Sequence, residues 1–230
     1  MKKIVVLTGS GISAESGIKT FRDSDGLWEE YRIEDVATYD AWLRNPELVQ
    51  NFYNQRRKQL YEVNPNNAHF ALAKLEQFFD IQIITQNIDD LHERGGSTNV
   101  LHLHGELKKS RSTVDLELIY DINGWELKMG DLCEKGSQLR PHIVWFGEAV
   151  PLIEKASELV TEADIFIVTG TSLQVYPAAS LLMYAKSEAA IYLVDPNTIH
   201  VPHINHLTVI KEKAGKGIPE LVERLIKEEI

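Results

Sequence analysis

Apolar runs recur along this chain at Ile4–Leu7, Ile81–Thr85, Val100–Leu103, Ile143–Phe146, Ile165–Thr169, Ile191–Val194 and Leu207–Ile210. Several are apolar at every position, the pattern of strands covered on both faces. Helical spacing takes over between them, at Ala68–Phe79, Leu152–Thr161, Ala178–Ala185 and Pro219–Ile226. Strands alternating with helices predict an α/β fold, a doubly wound parallel sheet of Rossmann-like type with ligands beyond the carboxyl ends of its strands. Two stretches interrupt the alternation. Residues 29–63 are helical in pattern without a strand, with Pro46 at a first-turn position. Residues 105–140 are polar and irregular, with short candidate strands at Leu116–Tyr120 and Trp125–Lys128. These two insertions predict a small helical and irregular second domain, 29–63 with 105–140. It would face, across a cleft, a main domain made of 1–28, 64–104 and 141–230. No internal repeat, low-complexity tract or linker is visible.

The first apolar run leads straight into Thr8-Gly9-Ser10-Gly11-Ile12-Ser13-Ala14-Glu15-Ser16-Gly17. A β-branched strand entering closely spaced glycines builds a loop whose backbone N–H groups can face a pyrophosphate at a helix N-terminus. Gly9-x-Gly11-x-x-Ala14 fits the dinucleotide fingerprint with its permitted final Ala. The continuation Gly17-Ile18-x-x-Phe21-Arg22-x-x-x-Gly26-Leu27-Trp28 keeps the segment apolar and aromatic, which a plain solvated turn does not need. It reads as a cover over a nucleotide.

The 43% hydrophobic and 25% charged fractions of these 230 residues are those of a globular protein. A net charge of −10 argues against a nucleic-acid partner, which needs a basic face, and leaves a basic peptide compatible. Met1-Lys2-Lys3-Ile4 opens too short an apolar run for a signal peptide, and no stretch approaches a membrane span. Cys133 is the single cysteine, so an internal disulfide is excluded and a reducing cytoplasm is the expected compartment. One thiol cannot build a four-thiolate zinc site.

Polar residues gather where strands end. Thr85-Gln86-Asn87-Ile88-Asp89 follows one strand, and its amides and carboxylate can bind a carboxamide, order a water, or cap the next helix through Asp89 or Asp90. Leu101-His102-Leu103-His104-Gly105 ends another. Alternation puts His102 and His104 on one face, but no cysteine or carboxylate cluster completes a metal set. A lone strand His is usually structural, whereas His104, before a glycine at the strand end, is placed as a general base. Val144-Trp145-Phe146-Gly147-Glu148 ends a further strand expected at the same sheet edge, and Gly170-Thr171-Ser172 forms a small-residue turn after Ile165–Thr169. Tyr53 and Arg56 share a helix face; Arg56-Arg57-Lys58 also reads as a solvated basic face.

Taken in order from Ile4 to the C-terminal helix, these motifs resemble the sirtuin family, the NAD-dependent protein-lysine deacylases. Phe52-Tyr53-x-x-Arg56-Arg57 is most similar to the bacterial branch with class III character, where such a pair recognises acidic acyl groups. The resemblance implies that the acyl carbonyl of a lysine amide attacks the nicotinamide ribose carbon, in a pocket that Phe21 helps to seal from water. It implies that Asp89 holds the nicotinamide carboxamide and that Asn87 positions the ribose and a water. His104 would take a proton from a ribose hydroxyl on the way to acyl-ADP-ribose. Ser13, Glu15 and Arg22 would contact NAD around its phosphates and ribose. The remaining NAD contacts would be Gly9, Ser10, Gly11, Ile12, Ser16, Trp28, Gln86, Ile88, Gly170, Thr171, Ser172, Asp195, Asn197 and Ala214. An acylated lysine peptide would add as a strand beside Val144, Phe146, Gly147 and Glu148. Three departures from the family pattern stand out. Of four zinc cysteines expected within 105–140 only Cys133 remains, so no structural zinc is expected and packing around Leu116, Leu118, Ile119, Trp125 and Leu127 would replace it. Ser10 stands where the family has Ala. Asp195 stands where the family has Asn, and would accept from an adenosine ribose hydroxyl.

A dehydrogenase would need a ribose-binding acid about 20 residues beyond the glycines, after a second strand; here that region is helical in pattern. A mono-ADP-ribosyltransferase or NAD hydrolase would share nearly every NAD residue, and a non-catalytic NAD sensor is the reading from another class. His104, Phe146-Gly147-Glu148 and Tyr53 with Arg56 favour the deacylase.

Overall fold

The computed structural model describes residues 1–19, 27–28 (backbone only), 31–197 and 204–229. Six parallel strands form the main sheet, in the order Leu207–Ile210, Ala190–Val194, Ile165–Thr169, Lys3–Thr8, Asp80–Thr85 and Val100–His102. Lys3–Thr8 pairs in register with a neighbour on each side, Ile4 opposite both Ile81 and Ile165. The chain first builds outward to one side of this strand and then to the other, so the crevice beyond Thr8 is a topological switch point.

The alternation of a strand splits the first run between two cores. Ile4 and Val6 face the helices Asn67–Leu75 and Ala214–Glu229, packing with Leu72, Ile83, Ile167 and Leu221. Val5 and Leu7 face the helix Ile153–Glu162 and the 3₁₀ turn Ala178–Tyr184, packing with Phe166, Val168 and Leu181. Burying each such side chain contributes about 1.5–3 kcal/mol, which makes this two-sided apolar sandwich the main source of stability. Asn66 starts the Asn67–Leu75 helix with a capping box, its partner at the third helical position being His69.

A second, three-stranded antiparallel sheet, in the order Ile119–Asp121, Gly105–Ser112, Leu139–Ile143, packs near the helices Ile33–Val36, Tyr39–Arg44 and Pro46–Leu60. Pro46 does sit in the first turn of its helix, capped by Asn45, whose Oδ1 accepts from Leu48 N at 3.1 Å. The parallel sheet with a smaller appended sheet is the α/β, doubly wound architecture that the pattern predicts. Among the described residues no helix is long and apolar enough to cross a membrane.

Several local expectations give way. Ile143–Phe146 is not a strand of the main sheet. The strand is Leu139–Ile143, antiparallel to Gly105–Ser112, and residues 144–146 continue as an extended strip held by Val144 N to His104 O and Phe146 N to Ala37 O. An apolar run declares its burial, not which sheet buries it. Gly105–Ser112 is a full strand within the stretch read as irregular, its polar positions answered by partners, with Lys108 and Lys109 pairing with Asp90 and Glu106. Leu116–Tyr120 shrinks to Ile119–Asp121, and Trp125–Lys128 forms no strand. The Ala178–Ala185 helix is a 3₁₀ turn, and the last helix begins at Ala214, where Glu15 Oε2 accepts from Gly215 N at 2.7 Å.

The packing expected within 105–140 is also corrected. Leu127 is buried, but Leu116, Ile119 and Trp125 are exposed by 57%, 44% and 40%. The polar interior of the Pro46–Leu60 helix does the holding. Fully buried Arg57 donates to Leu107 O (2.6 Å), Trp125 O (2.8 Å) and Asn54 Oδ1 (2.7 Å). Asn54 in turn accepts from Leu127 N and donates to Leu127 O, both at 2.9 Å. Arg57 is therefore not part of a solvated basic face. Its guanidinium supplies the donors that the irregular segment's carbonyls would otherwise lack.

Candidate functional site

A cavity of about 1010 Å³ spans the carboxyl edge of the main sheet at the switch point and runs under the antiparallel sheet. Its lining contains Gly9, Ser10, Gly11, Ser13, Glu15, Gln86, Asn87, Ile88, Asp89, His104, Gly170, Thr171, Ser172, Asp195, Asn197 and Ala214 from the predicted cofactor and catalytic set. Tyr53, Arg56, Val144, Phe146, Gly147 and Glu148 line it from the predicted substrate set.

The glycines first serve one another. A Cβ on Gly9 would lie 2.7 Å from Gly170 O, one on Gly11 would lie 2.7 Å from Gly170 Cα, and one on Gly170 (φ +65°) would lie 2.3 Å from Ile12 N. Gly9 N and Gly11 N donate to Thr169 O and Gly170 O. The two loops therefore interlock backbone to backbone, and these two N–H groups are committed to that lock. The expectation that they face a phosphate is corrected accordingly.

Behind the lock lies a polar hub. Ser13 Oγ donates to Asp89 Oδ2 and accepts from Asn87 Nδ2, both at 3.0 Å, while Asn87 Nδ2 also reaches Gly9 O at 3.2 Å. Asp89 Oδ1 accepts from Leu91 N at 3.2 Å, while Asp90 is the N-cap residue of Leu91–Arg94 and its side chain makes no capping bond. Burial raises the pKa of Asp89 above the ordinary carboxylate value. Underneath, His102 Nδ1 meets Asn87 O at 3.1 Å and Nε2 meets Glu93 Oε1 at 2.7 Å, which fixes the carbonyl end of the Asn87–Asp89 segment.

His104 Nδ1 lies 2.9 Å from Gln86 O. A carbonyl only accepts, so Nδ1 carries the proton and Nε2 keeps the basic lone pair. Burial lowers the pKa of His104, which keeps the ring neutral near pH 7. A strand end, a fixed tautomer and a neutral ring make His104 competent to take a proton.

Tyr53 and Arg56 are both buried in the cavity wall. The Tyr53 hydroxyl accepts from Trp145 Nε1 at 3.0 Å, and burial raises the phenol's pKa. Phe146 is 46% exposed at the rim, with Gly147 (φ +88°) completing the turn. The Glu148 carboxylate is taken by Arg140 (2.7 and 2.9 Å), Arg111 (3.3 Å) and Trp145 N (2.8 Å), so its side chain organises the strip. Asp195 Oδ1 accepts from Asn197 N at 2.8 Å.

Two predicted contacts are not among the cavity's lining. Ile12 is fully buried in the apolar core, and the Ser16 hydroxyl accepts from Asn66 Nδ2 at 2.9 Å. The predictions for Phe21, Arg22 and the Trp28 side chain lie outside the described residues. Sequence reasoning missed Lys19, Trp145, Gln174, Tyr176 and Lys213, which also line the cavity. Trp145 was inside a recognised motif; the others carry no local signal.

A switch-point cavity with a glycine lock, an amide–carboxylate hub and a neutral histidine defines a nucleotide-dependent enzyme of the doubly wound α/β class. The Sir2 family model matches residues 9–177, and the chain belongs to that family. It is 54% identical over 229 residues to an NAD-dependent protein deacylase of Helicobacter pylori, covering 99% of each chain. It is 52% identical to a protein of the same name from Bacteroides thetaiotaomicron, covering 98% of this chain and 99% of that one. Among solved structures, a complex of a Sir2 homologue with NAD matches with a TM-score of 0.89 and 42% identity over 100% of this chain and 91% of that one. A Sir2 complex with a p53 peptide and NAD+ matches at 0.77 and 32% identity, covering 98% and 92%.

Proposed function

We propose that this protein is an NAD-dependent protein-lysine deacylase, removing acetyl and acidic acyl groups and releasing nicotinamide and O-acyl-ADP-ribose. The observation that carries the reading is His104, whose Nδ1 is committed to Gln86 O so that Nε2 is the base in a cavity shared by the Ser13–Asn87–Asp89 hub and the Tyr53–Arg56 pair.

The donor set fits NAD. The hub offers an amide and a carboxylate for a carboxamide and ribose, and Asp195 lies beyond the Ala190–Val194 strand for a second ribose. When bound, NAD supplies a ribose carbon made reactive by its nicotinamide leaving group. Asp89 and Asn87, held by Ser13, orient that end; Gly170-Thr171-Ser172, Ser10, Asn197 and Ala214 hold the rest. His104 Nε2 takes the proton from a ribose hydroxyl. The strip Val144–Gly147 receives the peptide backbone as an added strand.

Arg56 and Tyr53 recognise the carboxylate of a succinyl or malonyl chain through charge-assisted hydrogen bonds, which acetyl-lysine cannot engage. No structural zinc is expected in the small module, whose single cysteine cannot build a thiolate set. Cys133 Sγ sits 3.4 Å from Ser112 Oγ, and the described residues hold no group of three or more His, Cys, Asp or Glu side chains for a metal. The lone thiol favours a reducing compartment, the cytoplasm.

Mass spectrometry of reactions with NAD and acetyl-, succinyl- or unmodified lysine peptides tests this reading. Nicotinamide is expected only with the acylated peptides; release without them makes the protein an NAD hydrolase. Losing a charge-assisted hydrogen bond costs roughly 1.5–3 kcal/mol, so Arg56→Met is expected to weaken desuccinylation about ten- to a hundredfold and deacetylation far less. Equal losses make Arg56 structural and end the acidic-acyl reading.

A further inference from the structure

The indole of Trp145 lies between two charged or polar systems that the proposed chemistry leaves unexplained. On one side the Arg140 guanidinium carbon sits 3.4 Å from the ring centroid. Arg140 is itself fixed as a fork on Glu148, and Glu148 Oε2 also accepts from the Trp145 backbone N–H. Ring position and backbone position are thus set by the same ion pair, in an environment where Trp145 is 2% exposed. On the other side, Nε1 reaches the Tyr53 hydroxyl at 3.0 Å.

An indole N–H can only donate. The Tyr53 oxygen is therefore the acceptor in this contact, and its own proton is directed to another partner. Burial disfavours the phenolate, so Tyr53 keeps that proton and remains a donor. A hydroxyl that accepts one hydrogen bond donates the next one more strongly, because the chain polarises.

We propose that Trp145 is a specificity-determining positioning residue that acts through Tyr53, orienting and strengthening the phenol as a donor to the carboxylate of an acidic acyl chain. The inference rests on the acidic-acyl reading of Tyr53 and Arg56. The Arg140–Glu148 pair sets the geometry from the far side, which ties acyl selection to the antiparallel sheet.

Trp145→Phe keeps an aromatic ring under Arg140 and removes the donor together with part of the indole's volume, and the Tyr53→Phe background separates the two. A single hydrogen bond contributes about 1 kcal/mol, so this variant is expected to raise the ratio of succinyl-lysine KM to acetyl-lysine KM about three- to tenfold, without a matching change in the kcat ratio. In the Tyr53→Phe background the same substitution is expected to leave the ratio where Tyr53→Phe alone puts it, because the acceptor is gone. An unchanged ratio, or additive effects in the double variant, overturns the proposal and reduces Trp145 to packing. Arg56→Met measured alongside separates the two claims: if it is selective while Trp145→Phe is not, only the Trp145 role fails. If Arg56→Met is unselective, the acidic-acyl reading falls and takes this role with it. An independent check uses the wild-type protein. Of the four tryptophan indole N–H resonances, the one that moves on Tyr53→Phe is expected to shift with succinyl-lysine peptide and not with acetyl-lysine peptide. Equal shifts with both count against the coupling.

Discussion

The two larger sheets of this molecule are stabilised by different means. The parallel sheet is sealed on both faces by aliphatic and aromatic side chains, and Ile4, Val6, Phe166, Ile167 and Val168 are fully buried. Around the antiparallel sheet, fully or nearly fully buried residues include Arg57 and Arg140, whose guanidinium groups answer backbone carbonyls and the Glu148 carboxylate. The difference teaches that a module can keep its shape through buried donors that answer its backbone carbonyls. The cost is that each donor serves several acceptors at once. Arg57 serves three, so its loss strips the Leu107 and Trp125 carbonyls of their side-chain donor, while Asn54 Oδ1 keeps Leu127 N.

The seam between the two sheets is where the largest effect is expected. His104 ends the sheet side, and Gly105 (φ +83°), where a Cβ would meet His142 O at 2.0 Å, turns the chain into the antiparallel strand. Replacing His104 by Ala should lower turnover about 10²–10⁴-fold by removing the base. Calorimetric NAD binding should persist, since the glycine lock and hub are untouched. Near-normal turnover would move the base elsewhere.

The contrast between the sheets is sharpened by Arg57→Met. Leaving the Leu107 and Trp125 carbonyls without their donor should cost about 1–3 kcal/mol for each one that water does not reach. Hydrogen exchange should then rise across 105–140 while Lys3–Thr8 and Ile165–Thr169 stay protected. Ile167→Val in the parallel sheet should cost only about 0.5–1.5 kcal/mol. A chelator should leave the melting of the wild type unchanged, because packing and Arg57 hold the module. Melting of the module on metal removal would overturn that account.

The smallest effect is expected from acid, on the apolar side. His69 lies under the Asn67–Leu75 helix against His92, ring centroids 5.0 Å apart, with Glu93 the acidic group acting on it. Burial lowers the His69 pKa to about 4. The unfolded chain takes up this proton near pH 6.5, so the contribution of neutral His69 is complete above about 6.5 and is lost as pH falls toward about 4. His69→Gln keeps a side-chain acceptor at the third position of the capping box and removes the titration. Thermal melts of this variant should fall less between pH 7 and pH 4.5 than those of the wild type. Identical acid losses would assign the sensitivity to another group, His92 first.

The sequence by itself determined the strands of the parallel sheet, the glycine loop, the first turn at Pro46 and the stations Gln86–Asp89, His104 and Gly170–Ser172. Two-sided burial needs nothing but hydrophobicity, and a strand followed by glycines is a local pattern. Tertiary structure alone decided the rest. It assigned Ile143 to the antiparallel sheet, turned polar Gly105–Ser112 into a strand, and buried Arg57, which reads as a surface cation. It spent Glu148 on Arg140 and Arg111, and it joined Trp145 to Tyr53 across 92 residues. A buried polar group is stable only beside its partner, and those partners lie on distant segments that no local pattern brings together.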